Sequence, residues 1–321
     1  MIGIACIALG MPPAAIGVDA REERLMAQRV SSELKAALVL ATAQGRDYGR
    51  LIRQERFAEF EALAIEYEAK FRTDPRYETV LVTMYGSLDV GDDAFLHKLD
   101  TWVAKRPSHI SHGARGIHLK YRGFIARGSD FSSETAPEKM QRMRELHQQA
   151  IPDLLAALKE NGRFAPAYIA LIDISRATGD TAGAERALLR AVRLIPQTYY
   201  VRYAYLSALN PRWGGDYSLM QTYADTLDHA AALNPRIWSL KAEVPAELGR
   251  RAKASQDPAQ AIRYYTEALR FGDRLEFLLS RGQMYMAVQD YARARADFAK
   301  YLEYSASPQV SRLLKNMDGL R

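Results

Sequence analysis

The stretch that most constrains this chain is Phe277 to Pro308, F-L-L-S-R-G-Q-M-Y-M-A-V-Q-D-Y-A-R-A-R-A-D-F-A-K-Y-L-E-Y-S-A-S-P, where Gly282, Tyr285, Ala294 and Phe298 stand at offsets of three, nine and four. Those offsets describe two antiparallel helices. Gly282 lets the first be approached closely, Tyr285 fills the space between the two, and Ala294 with Phe298 one turn on packs the second helix back onto the first. The expected architecture is a stack of such hairpins, which presents surfaces and usually carries no chemistry.

Copies of the pattern precede it. Ala261 and Tyr265 lie 33 residues before Ala294 and Phe298; Ala184, Leu188, Ala191 and Pro196 repeat the spacing; and 34 residues before those stand Ala150, Leu154 and Ala157. A period in this range resembles the tetratricopeptide (TPR) repeat over roughly residues 138 to 308, best in the last unit and in Ala165 to Pro196. Asn210 to Tyr217 (N-P-R-W-G-G-D-Y) and Ser129 to Glu138 interrupt the pattern. The fold expected is therefore all-α: stacked antiparallel helical hairpins, a TPR-like α-solenoid, somewhat irregular. By analogy with TPR units, Asp173 and Arg176 in one unit and Gln283 and Met286 in the last face the open side of their first helices, where polar or adaptable side chains suit a peptide.

Composition agrees with a packed helical protein. The 321 residues are 48% hydrophobic and 26% charged, apolar residues recur at three- and four-residue spacing, and most prolines fall between the periodic segments. At the start, Ile2 to Val18 is a short apolar run ending in Val18-Asp19-Ala20 before Arg21-Glu22-Glu23-Arg24. This reads as a secretory signal cleaved after Ala20, for which the expected location is the periplasm or outside the cell; the alternative is an ordinary buried or frayed N-terminus on a cytoplasmic protein. Pro12 and Pro13 break the run, which is too short to span a membrane. Cys6, the single cysteine, leaves with it. The domains expected are a signal over 1–20, an N-terminal helical region over 21–128 and repeats over 129–321.

Within the N-terminal region, Arg24 to Ala43 and Tyr48 to Thr73 read as two helices, the second amphipathic through Phe57, Phe60, Leu63, Ala64 and Tyr67. A third begins at Asp74-Pro75 and runs to Gly86, with Asp74 as cap; a fourth covers Asp93 to Lys105. W-V-A-K-R-P-S-H at Trp102 to His109, R-G at Arg127 and Gly128, and P-R-W-G-G at Pro211 to Gly215 together resemble a bacterial family of TPR-like proteins known only as a domain of unknown function. The resemblance covers about Leu51 to Pro235. It implies the helical-repeat fold and carries no activity with it.

Ser108 to Arg127 sorts into two helical faces at about 100° per residue. Ile110, Ala114, Ile117, Tyr121 and Phe124 share one; Ser108, His112, Arg115, His118 and Arg122 share the other, and Gly113, Gly116 and Gly123 between them admit a neighbouring helix. From Lys98 to Arg127 seven Lys or Arg face Asp100 alone, a net +6 that equals the excess of the whole chain. Two readings fit. Either the arginines pair with carboxylates of adjacent helices, or Arg115, His118 and Arg122, with His112 at the edge, form an exposed stripe that receives an acidic partner. A metal site is not expected: His109 and His112 are one turn apart, but no acid between Thr101 and Ser129 completes the ligands.

The segment Asn210 to Tyr217 is turn chemistry around Trp213, read either as a buried wedge between hairpins or as a platform on which a ligand stacks with Arg212 alongside. The sequence holds no phosphate-binding loop, dinucleotide fingerprint, nucleophile elbow, H-E-x-x-H or spaced cysteine quartet. The expectation is a non-catalytic module that binds a protein or peptide, with no cofactor. The alternative is a hydrolase or transferase with an anionic envelope substrate held by the Arg/His helix. Nucleic acid is not the expected partner, because a basic total without a reading helix or an aromatic-lined groove is poor support for it.

Overall fold

The computed structural model describes residues 19–45, 47–89, 92–129 and 134–317, and these form helices and turns with no strand among them. The apolar run Ile2 to Val18 lies outside the described residues. In chain order the N-terminal region contains α1 (Ala20–Ala43), α2 (Tyr48–Arg53), α3 (Phe57–Phe71), α4 (Tyr77–Gly86), α5 (Asp93–Lys105) and α6 (His109–Arg127). The repeats follow as α7 (Pro137–Glu160), α8 (Ala165–Thr178), α9 (Thr181–Leu194), α10 (Tyr200–Ala208), α11 (Tyr217–Asp225), α12 (Asp228–Ala231), α13 (Glu243–Ala254), α14 (Pro258–Leu269), α15 (Leu275–Ala287), α16 (Tyr291–Leu302) and α17 (Pro308–Asn316).

Two boundaries differ from the sequence reading. The helix expected over Tyr48 to Thr73 is broken, because Glu55 adopts a left-handed backbone (φ 55°) and ends α2 before α3 begins. The helix expected from Asp74-Pro75 starts at Tyr77. Asp74 instead folds its carboxylate onto the backbone and side chain of Arg76, which makes a turn rather than a cap.

The repeat register is visible in the packing. Ala150, Leu154, Ala157, Ala184, Leu188, Ala191, Ala261, Tyr265, Ala294 and Phe298 are all buried. In the last hairpin, a Cβ placed on Gly282 would stand 2.6 Å from Cε1 of Phe298, so the close approach of α15 and α16 requires glycine there. The turns inside three hairpins share one design. A left-handed residue (Gly179, Gln256 or Gln289) ends the first helix. An aspartate follows it (Asp180, Asp257 or Asp290) and accepts the N–H three residues on, from Gly183, Gln260 or Arg293.

The irregularity has a structural cause. The N-terminal helices run along one edge of the stack and tie down the turns between successive hairpins. Asn161 donates to Glu68 of α3 at 2.9 Å and Gln197 to the Phe71 carbonyl at 3.1 Å. Arg236 donates to Thr79 of α4 at 2.6 Å, and the Asp273 N–H to the Ser31 hydroxyl of α1 at 2.9 Å. Gly272, with φ 118°, leaves room for Val30 of α1, which sits among Ala231, Trp238, Met26 and Phe271. One continuous apolar core joins α2 through α10, while the later hairpins have smaller cores of their own.

Candidate interaction face

Helix α6 sets the chemistry of the central region, and its glycines decide what reaches it. Cβ atoms on Gly116 and Gly123 would lie 2.9 Å from the Leu154 side chain and 2.4 Å from the His147 ring, so α7 lies directly on α6. That approach was legible in the sequence. It also brings Asp153 of α7 against the basic face.

The exposed stripe is therefore not what the structure contains. Arg115 holds Asp153 with two hydrogen bonds, Nε to Oδ2 at 2.6 Å and Nη2 to Oδ1 at 2.9 Å, and reaches Asp100 of α5 with Nη1 at 3.1 Å. His112 bonds the same Asp153 at 2.8 Å, and Arg122 pairs with Asp93 at 2.5 Å. His118 has no solvent exposure; its Nδ1 donates to the Leu88 carbonyl at 2.9 Å, and burial holds its pKa below the usual imidazole range. Counting charges within Lys98 to Arg127 missed these partners, because the carboxylates come from residues 93 and 153 on neighbouring helices. His109, considered for a metal, instead bridges Glu68 and Glu160; burial opposes its protonation, but the two carboxylates outweigh it and raise its pKa. Among the described residues no group of three His, Cys, Asp or Glu is placed to hold a metal ion.

A different face is only partly covered. Asp173, Arg176, Gln283 and Met286 are half-buried, while Ile172, Ile174, Gly282 and Tyr285 on the same helices point into the core. First helices of adjacent hairpins are bonded across this face. Lys120 of α6 donates to Asp173 of α8 at 3.3 Å, and Lys253 of α13 donates to Gln283 of α15 at 2.7 Å. Lys120 is itself buried, with its ammonium 3.6 Å from the centre of the Tyr121 ring. Sequence reasoning passed over Lys120, since a lysine in a basic segment gives no sign of being inside.

Trp213 fits neither role expected of it. It is half-exposed in a 3-10 turn, Pro211–Trp213, fixed by the Asn210 side chain, which accepts the Arg212 N–H at 3.0 Å. The Gly215 backbone packs so closely on Leu209 that a Cβ would lie 1.9 Å from its carbonyl oxygen. The cations over the indole come from other helices: Arg176 of α8 at 5.0 Å and Arg127 from the end of α6 at 5.5 Å. Arg212 is exposed alongside, without a place over the ring. The turn thus reaches back over two first helices and closes one end of the open face.

A concavity of about 960 Å3 lies elsewhere, between α1 and the last hairpins, lined by residues such as Glu23, Arg24, Lys35, Arg270, Asp273 and Tyr304. Its charges of both signs are largely paired with one another, Glu23 with Arg270 and Asp273 with Lys300.

These elements define an all-α stack of TPR-like hairpins whose first helices carry an open polar face. No family model and no curated protein matches the chain. Among solved structures it is similar to one reported for the functional characterization of Pseudomonas aeruginosa pilF (17% identity over 53% of this chain and 78% of that one, TM-score 0.32). It is also similar to a tetratricopeptide repeat protein from Parabacteroides merdae (15% identity, 80% and 98% covered, TM-score 0.32). A third is yeast Tom70 (13% identity, 97% and 66% covered, TM-score 0.36). Among the described residues no helix is long and apolar enough to cross a membrane.

Proposed function

We propose that this protein is a non-catalytic interaction module of the bacterial envelope that receives a peptide segment of a protein partner on the first-helix face. The observation that carries this reading is the contrast on α8 and α15: Asp173, Arg176, Gln283 and Met286 are half-buried rather than closed off, on helices whose other sides are packed into the core, and Asp173 and Arg176 are paired with each other. Two polar, half-open patches, one bridged between hairpins by Lys120–Asp173 and the other by Lys253–Gln283, offer a peptide chain hydrogen-bond partners and the adaptable thioether of Met286. The envelope location rests on the apolar run ending in Val18-Asp19-Ala20.

The test is site-specific photo-crosslinking in the native host. A crosslinker at Met286 or Gln283 is expected to capture one protein through one short segment. The same group at Arg186, exposed on α9 away from this face, captures nothing specific. Equal labelling from both positions would reject the groove.

A further inference from the structure

The end of the open face closed by Trp213 has a chemistry of its own. Arg127 and Arg176 lie over the Trp213 ring, exposed Arg212 precedes it in the chain, and Asp173 is bonded to Arg176 and to Lys120. Asp173 is already shared, with Oδ2 accepting from Lys120 and Oδ1 paired with Arg176 at 3.1 Å. Its single charge is divided between two cations, and neither Arg127 nor Arg212 is paired with it. Arg176 pairs one Nη with Asp173 and has a buried Nε with no hydrogen-bond partner, while Arg127 donates to the Gly128 carbonyl at 3.3 Å. Each guanidinium lies over the indole, and stacking of this kind holds a planar fork in place so that less freedom is lost when its N–H groups meet an oxyanion.

We infer that the Trp213 end is a recognition site for acidic side chains of an extended peptide, with Arg127 and Arg176 donating to carboxylates and Trp213 presenting them. This rests on the reading of the first-helix face as a peptide groove and adds the charge of what it accepts. The site is distinct from the Arg115 and Arg122 stripe, whose guanidinium groups are taken up by Asp153, Asp100 and Asp93.

Trp213 supplies its own readout, because Trp102 and Trp238 are buried and it is the tryptophan open to solvent. Its emission is titrated in the full chain with a peptide of alternating Ala and Glu and with the matching Ala and Gln peptide. The Glu peptide is expected to bind at least about tenfold more tightly, with affinity falling as salt rises from about 50 to 500 mM. Arg127→Gln and Arg176→Gln are each expected to weaken it about tenfold. Trp213→Phe should remove the signal. Should Arg176→Gln lower the melting temperature through Asp173, Arg127→Gln, which breaks no ion pair among the described residues, carries the result. Equal binding of the two peptides overturns the inference and leaves the groove standing. No response to either peptide, with a specific crosslink still formed at Met286, does the same. No response and no crosslink rejects both.

Discussion

The Glu78 carboxyl and the Thr198 hydroxyl are hydrogen-bonded to each other in a site that neither shares with solvent. Glu78 also accepts the backbone N–H groups of Tyr199, at 2.7 Å, and Tyr200, at 3.3 Å, so a side chain of α4 satisfies the open N-terminus of α10 more than a hundred residues away. Burial pushes its pKa up to about 7 against the pull of those donors and of Arg236. The fold therefore prefers the neutral acid. Its contribution is fully present below the unfolded pKa of 4.5 and is lost as pH rises through about 7, on the order of 3 kcal/mol. Glu78→Gln should remove that dependence, so urea midpoints of the variant and the wild type should converge at acid pH and separate in the variant's favour by pH 7.5.

His147 works in the opposite direction. It is buried against α6 with Nε2 donating to the Lys120 carbonyl at 3.2 Å, and desolvation lowers its pKa to about 4. The folded state keeps it neutral, which contributes stability above 6.5 that is lost as pH falls through about 4, again on the order of 3 kcal/mol. His118, also lowered by burial, adds to the same loss. Replacing His147 with Gln, which retains a donor for Lys120, should flatten the acid limb of the unfolding profile. An unchanged acid limb would mean that His147 is not held neutral.

Arg115 provides the contrast between a scaffold cation and a surface one. Its side chain is 25% exposed and its partner Asp153 only 7%, and it supplies that carboxylate with two donors. Arg115→Glu leaves Asp153 facing a like charge in a closed site and is expected to destabilise the fold by about 3–5 kcal/mol. Denaturation of the purified variant measures this directly. A change below about 1 kcal/mol, the level of a surface pair, would restore the exposed-stripe reading.

The hairpin register was legible because it depends on local spacing: Gly282, Tyr285, Ala294 and Phe298 occupy the places their offsets required. The glycines of α6 likewise announced a close neighbour. What the chain order could not show was which neighbour, and so which charges met. Asp153 is 38 residues from Arg115, Asp173 is 53 from Lys120, and Thr198 is 120 from Glu78. Periodicity places a residue on a face of its own helix and says nothing about the carboxylate opposite. Trp213 was misjudged for the same reason, since Arg127 and Arg176 reach it from helices that its own turn chemistry does not mention.

The turns inside the hairpins give the last prediction. Gln256 and Gln289 hold φ of 56° and 60°, and the equivalent place in the α8–α9 hairpin is Gly179 at 74°. A side chain with a Cβ in the left-handed region is disfavoured by about 1–2 kcal/mol relative to the right-handed one, a penalty that glycine escapes. Part of that gain is returned, because glycine has more freedom to lose on folding. Gln289→Gly should therefore stabilise the last hairpin by about 0.5–1 kcal/mol, and Gly179→Gln should destabilise its own by a similar amount. The aspartate that follows sharpens the comparison. Asp290 accepts the Arg293 N–H at 3.1 Å, and Asp290→Ala leaves that donor without its cap at a cost of about 1 kcal/mol. Hydrogen exchange of the α15 and α16 amides separates the two effects: slower in Gln289→Gly, faster in Asp290→Ala, and additive in neither direction if the pair acts as one turn. Faster exchange in Gln289→Gly would show that the glutamine side chain, and not the backbone angle, secures the turn.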